Sequence, residues 1–168
     1  MTTIDHPYEA TTSDQPGVAL VQEFLSIHAM FRDQLQTMLQ HINRLQSGTE
    51  QLTAAQTRDQ IQALIRTGAE YTQLLHAHHN RETLFVFPVL QADGLEQAVV
   101  DRLNVEHDEI STLIDQFAAS IQNFATIESA VLNHDLRRLS DTLRDHLTYE
   151  ETHVCPLFAR WSEWPPMD

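Results

Sequence analysis

The chain has 168 residues, 42% of them hydrophobic, enough for one domain with a substantial core of its own. Its formal net charge is −14 and all ten basic residues are Arg, which argues against nucleic acid, whose phosphates need clustered cations. The single Cys155 rules out an intrachain disulfide and a cysteine-based zinc or iron–sulfur site. No stretch approaches a membrane span, and the first residues lack the pattern of a secretory signal, so the expected location is cytoplasmic.

Residues 1–17 are polar, with Pro7, Pro16 and Gly17, and read as a flexible N-terminal arm. Four long segments of helical period follow. The first runs from Val18 to about Leu45 with Phe24, His28, Phe31, Leu35 and Ile42 on one stripe, and ends at Ser47-Gly48. The second opens at Thr53, with Gln56 in capping-box position, and is expected to turn Leu64, Tyr71, Leu74, Leu75, His78, Glu82 and Phe85 inward. Pro88 is expected to limit it.

After Asp93-Gly94 the third helix carries Val99, Leu103, His107, Ile110, Ile114, Phe117 and Ile121. The fourth, from about Ile127, presents Val131, Leu132, Leu136, Leu139, Leu143, His146, Glu150 and His153 before Pro156 closes it. No segment alternates like a strand, and all three connections are short. The expected fold is therefore all-α, an up-down-up-down antiparallel four-helix bundle over residues 18–158, with a C-terminal tail of residues 159–168 packed over one end.

One pattern occurs twice: His78-x-x-x-Glu82-x-x-x-x-x-Pro88 and His146-x-x-x-Glu150-x-x-x-x-x-Pro156. Each copy puts an imidazole and a carboxylate one helical turn apart on one face. Depth joins them to two more histidines. At 1.5 Å per residue, His28 lies roughly 15 Å into the first helix and His107 roughly 18 Å into the third, while His78 and His146 each lie roughly 15 Å before a proline. In an antiparallel bundle all four imidazoles share one level, inside the apolar stripes. Buried there without partners, these groups would cost several kcal/mol each, and a metal offsets that best.

The other histidines point elsewhere. His41 and His76 project off their stripes and read as solvated, His6 lies in the arm, and His79, about 100° from His78, flanks the site at best. His153 lies on the inward stripe, where an extra ligand, an outer hydrogen-bond partner and a plain core residue are all open readings. Cys155 points to the opposite side of its helix and reads as a surface thiol.

His28, the run His78-His79-Asn80-Arg81-Glu82 through Phe87-Pro88, the Glu106-His107 pair, and His146 through Glu150-Glu151 to Pro156-Leu157-Phe158 together resemble the hemerythrin-like, or HHE cation-binding, domain. The resemblance implies two iron ions with a bridging oxo or hydroxo group in the bundle. His28, His78, His107 and His146 would be terminal ligands, with Glu82 and Glu150 bridging. The N and O donors also suit manganese or zinc.

The resemblance breaks at one place: oxygen-carrying hemerythrins have a second histidine four residues along the third helix, where this chain has Ser111. Two six-coordinate ions offer about twelve positions. Four histidines, two bridging carboxylates and the bridging oxygen leave about two open, one more than a five-histidine carrier leaves.

The set also resembles that of the repair-of-iron-centres proteins, whose cysteine-bearing N-terminal segment this sequence lacks. The resulting expectation is a protein that binds and reacts with O2, peroxide or nitric oxide, with Tyr71 and His153 as nearby polar groups. The alternatives are a non-enzymatic sensing module for O2, iron or redox state and a di-iron oxidase or oxygenase of a small organic substrate. Whether the protein is an enzyme, and what its redox partner is, stay open on these residues.

Overall fold

A computed structural model of the chain describes residues 15–47, 52–123 and 129–164. Among them there are four long helices and no strand: α1 (Val18–Ser47), α2 (Ala54–Arg81), α4 (Gln97–Gln122) and α5 (Ser129–Phe158), with a short α3 (Phe87–Ala92) that continues α2 through a π-helical turn, Glu82–Val86. None of these helices is long and apolar enough to cross a membrane. The arm before Gln15 with His6, the turn at Gly48, the start expected near Ile127 and the tail's Pro165-Pro166 lie outside the described residues.

The helices form a bundle in which α1 packs on α2 and α5, and α4 packs on α2 and α5. Thr53 caps α2 in a full capping box: its hydroxyl accepts from Gln56 N, and its own N–H donates to Gln56 Oε1 at 2.9 Å. After α3 the backbone turns through Gly94, at φ 107°. Leu95 N–H reaches back to Leu90 O (2.8 Å) and Gly94 N–H to Gln91 O (3.1 Å), a paired closure that needs a residue tolerating positive φ. At the other junction Gly17 N–H donates to Ala159 O at 3.1 Å. A Cβ on Gly17 would stand 1.8 Å from the Phe158 carbonyl oxygen, so only glycine lets the entry to α1 lie against the exit from α5.

Neither proline stops its helix. Pro88 sits in the first turn of α3, and Pro156 lies inside α5, which runs two residues further. At Pro88 the cause is the π turn, where Phe87 N–H bonds to Glu82 O, five residues back. The wider turn moves the carbonyls that a proline ring would otherwise strike. It also inserts a residue into the inward face, so Val86 and Phe87 are buried while Phe85, expected inside, is 41% exposed. Leu74 and Val131, also expected inside, are exposed at the edges of their stripes.

The apolar interior falls into two halves. One holds Phe31, Leu35, Leu75, Ile110, Leu143 and Leu147 with the residues beyond them toward one end of the bundle; the other holds Phe24, Val86, Leu103, Val154 and Phe158. The helices α1, α4 and α5 pass from one half to the other across their polar residues: His28 on α1, His107 on α4, and His146 and Glu150 on α5. Helix α2, with His78 and His79 near its end, reaches the second half through the π turn and α3. The common depth expected from residue counting is this layer. Side chains in the halves contribute about 1.5–3 kcal/mol each by burial, whereas an unpaired polar layer works against them.

Candidate metal centre

Five imidazoles and two carboxylates fill the layer as two groups. His28, His78, Glu82 and Glu150 make the first, and His79, His107 and His146 the second; within each group the donor atoms lie within 4.8 Å of one another. The carboxylates stand between the groups. Glu82 Oε1 is 3.0 Å from His78 Nε2 while its Oε2 is 3.6 Å from His107 Nε2, and Glu150 Oε2 is 3.6 Å from His28 Nε2 and 3.7 Å from His146 Nε2.

All five Nε2 atoms and all four carboxylate oxygens are buried and make no hydrogen bond. Nine inward donors left unmatched would cost several kcal/mol. Two donors about 2.1 Å from one ion stand roughly 3–4.2 Å apart, the range of these separations. The residues fit a pair of cations.

Ionisation points the same way. Burial holds the imidazoles of His78 and His79 well below the usual range, and the neighbouring imidazoles press them further. Burial and the nearby His146 bring His107 down to about 3. Neutral imidazole is the form that binds metal. Burial, and Glu150 beside it, raise the Glu82 carboxyl well above the usual range, so with no cation it keeps its proton.

Outer partners fix the rings. The Glu151 carboxylate accepts from His28 Nδ1 (3.0 Å) and from Arg32 (2.7 Å), and Glu106 accepts from His146 Nδ1 (2.9 Å) and from Arg102 Nε (2.7 Å). The Thr83 hydroxyl donates to Asn104 Oδ1 (3.1 Å), which leaves its oxygen to accept from His107 Nδ1 (3.0 Å). A carboxylate can only accept, so in His28 and His146 the proton sits on Nδ1 and the Nε2 lone pair faces inward; Thr83 orients His107 likewise. Burial opposes ionisation of Glu106 and Glu151, but the hydrogen bonds and charges of their partners outweigh it and hold both below the usual carboxylate range.

The model of the hemerythrin HHE cation-binding domain matches residues 19–158. The chain belongs to that family. The comparisons with curated proteins and with solved structures gave no match.

Within this hemerythrin-like chain the six residues expected at the site, His28, His78, Glu82, His107, His146 and Glu150, are brought together, and His79 joins them. About 100° from His78, His79 would only flank a site confined to one point on the bundle axis. A donor layer between four helices is wider than that: His78 turns toward α1, 5.3 Å from the His28 ring, and His79 turns toward α4, stacked on His107 at 4.1 Å and 11°. Since α2 packs on both α1 and α4, residues about 100° apart can both face inward.

His153 stands outside both groups. Its Nδ1 bonds to Tyr149 O at 2.7 Å and its ring lies 4.1 Å from that of Tyr149. Tyr71 is buried below the layer with its hydroxyl donating to Phe31 O at 3.4 Å, and the Phe31 ring separates it from His78. Cys155, expected at the surface, is instead fully buried in the half-core of Phe24 and Phe158, because α1 and Trp161 cover that side of α5. Burial and the nearby Glu151 and Glu150 push its thiol up. His41 and His76 are half-buried and pair with Gln60 and Asp115.

Sequence reasoning gave no role to Glu106, Glu151 or Thr83. Each acid adjoins a donor on its own helix and braces a donor on the next, which is the signal available in the tandem Glu106-His107 and Glu150-Glu151.

Proposed function

We propose that this hemerythrin-like domain holds two iron ions in a carboxylate-bridged pair and binds one small ligand, O2, peroxide or nitric oxide. The observation that carries the reading is a set of nine buried donor atoms without hydrogen bonds on seven residues, which proximity divides into four and three, with Glu82 and Glu150 of the first group also approaching the second. His28 and His78 would serve one ion, and His79, His107 and His146 the other. Bound as a diferrous pair, the ions supply two electrons.

His79 changes the count of vacancies. Five histidines, two bridging carboxylates and a bridging oxygen occupy eleven of about twelve positions. One remains, on the ion with two histidines. The expectation of two open positions came from four ligating histidines, and with His79 added it no longer favours reaction over reversible binding. The rings of Phe24 and Phe31 pack on His28 and His78, the imidazoles that would hold the ion with the open position. Apolar walls admit a diatomic molecule and keep out bulk water, while Glu151 and Glu106 hold the protons of His28 and His146 away from it.

The surrounding fold is read as an up-down-up-down bundle over residues 18–158. Supporting it, cross-helix pairs run in opposite directions: His28 with His78 and His41 with Gln60, His76 with Asp115 and Thr83 with Asn104, Ser120 with Asp135 and His146 with Glu106. Residues 1–17 would be an arm and 159–168 a tail, supported by Trp161 and Trp164 packed on Phe158.

The test joins metal analysis to anaerobic absorbance titration. Two irons per chain and one nitric oxide per pair are expected, with an O2 band that disappears under vacuum if binding is reversible. A protein that takes up two irons yet reacts with none of O2, peroxide and nitric oxide faster than free ferrous ion does would refute the small-ligand reading.

A further inference from the structure

A pocket of about 320 Å³ opens beside α2 and α4. Its walls are amide, hydroxyl and carboxylate groups, those of Asn80, Thr83, Asn104, Asp108 and Ser111, with His76 also lining it. His79 and His107 form the buried part of the lining, 5% and 6% exposed, and both Nε2 atoms are without a hydrogen bond. No Lys or Arg lines it. Two other surface pockets, one beside Trp161 and one beside His153, touch none of the donor residues.

We propose that this pocket is the port through which hydrated divalent cations load the centre, a proposal that rests on the two-cation reading above. A divalent cation cannot shed its water against apolar side chains without a large penalty, and the first group is packed against Phe24 and Phe31. The pocket offers the opposite surface. Asp108 supplies an exposed carboxylate, the neighbouring amides and hydroxyls can replace water one molecule at a time, and His79 and His107 receive the ion.

The net charge of −14 draws cations toward the protein from all directions, and a polar cleft free of Lys and Arg concentrates them at one place. The small Ser111 side chain contributes to the open wall. The vacancy for a small ligand belongs to the other ion, so an apolar diatomic has no need of this route.

The experiment follows aqueous Co(II) entering the metal-free protein by stopped-flow absorbance, with final stoichiometry measured separately. Asp108→Asn should slow loading about threefold to tenfold and flatten its dependence on ionic strength. Ser111→Leu, which narrows the pocket and makes its wall apolar, should slow it about tenfold or more, and both variants should still end at the wild-type stoichiometry. Asp59→Asn, the same charge change at an exposed position far along α2, should load at the wild-type rate.

Wild-type loading rates in both Asp108→Asn and Ser111→Leu would overturn the port. So would a Ser111→Leu protein, loaded with iron, in which nitric oxide binding slows as much as cation loading does, since the pocket would then be the ligand's door. If the wild-type protein takes up fewer than two Co(II), the two-cation reading itself fails and the port with it.

Discussion

The two donor groups share Glu82 and Glu150 and lie at one depth, yet their surroundings differ. Around His28 and His78 stand Phe24 and Phe31, and the polar support is the buried Glu151 with the partly buried Arg32. Around His79 and His107 lie hydroxyl and amide groups and an opening to solvent, and His146 is braced by Glu106 and the half-exposed Arg102, which also lies 3.6 Å over the Tyr149 ring. One end of the centre is walled by apolar rings; the other adjoins a polar pocket, with the Phe87 ring stacked on His107 at 5.5 Å. Repeating a His-x-x-x-Glu motif does not make a symmetric site, because what each copy faces is set by the neighbouring helices.

Removing a shared carboxylate tests that division most severely. Glu150 approaches a histidine of each group, so Glu150→Ala is expected to abolish stable binding of the pair. Metal analysis after gel filtration reads this directly. The fold should survive, since an unpaired buried acid is replaced by a methyl group. Two cations retained by Glu150→Ala would mean that the groups are not joined through this residue.

His79→Ala separates the groups. It should weaken the second ion by more than the roughly 100-fold that loss of an outer partner can cost, and leave the first near its original affinity. It also raises the number of open positions from one to two, so nitric oxide uptake per pair should rise where both ions are forced in by excess metal. An unchanged affinity would return the centre to four histidines.

The outer carboxylates give a graded comparison. Glu151→Gln should lower affinity at the His28 side and Glu106→Gln at the His146 side, each about 10-fold to 100-fold, because an amide can present its NH2 group and upset the imidazole proton. The buried Glu151 should matter more than the partly exposed Glu106, since its bonds to His28 and Arg32 are less screened. Isothermal titration of both variants would show the order, and a larger loss in Glu106→Gln would reverse it.

Much of this could be read from the residues before the fold. Periodicity placed the helices, the Thr53–Gln56 capping box placed one start, and rise per residue placed His28, His78, His107 and His146 in one layer. What escaped was set by packing rather than by pattern. A π turn leaves no period of its own, so Phe85 was expected where Phe87 stands and Pro88 was expected to end a helix that continues. His79 was lost by treating a layer as a point, and Cys155 by assuming that the outer face of α5 meets water where α1 and Trp161 pack against it.

The mildest test concerns the protein with no cation, where the imidazoles and Glu82 pull stability in opposite directions. His78, His79 and His107 have folded pKa values below 6.5, so their contribution is present above about pH 6.5 and is lost as pH falls toward the folded values, about 3 for His107. Glu82 is raised, so its contribution is present below about pH 4.5 and is lost as pH rises through its folded value. Between those limits the unfolded chain gains up to three imidazole protons and gives up one carboxyl proton. Stability should therefore rise with pH from 5 to 6.5, each net proton adding about 1.4 kcal/mol per pH unit. Once the imidazoles are neutral in the unfolded chain as well, the Glu82 proton reverses the slope for as long as the folded carboxyl keeps it. Urea unfolding of metal-free protein from pH 5 to 8 would trace this maximum. Glu82→Gln should remove the decline on its alkaline side, because an amide has no proton to lose in the unfolded chain, and a decline that persists would assign it to another group.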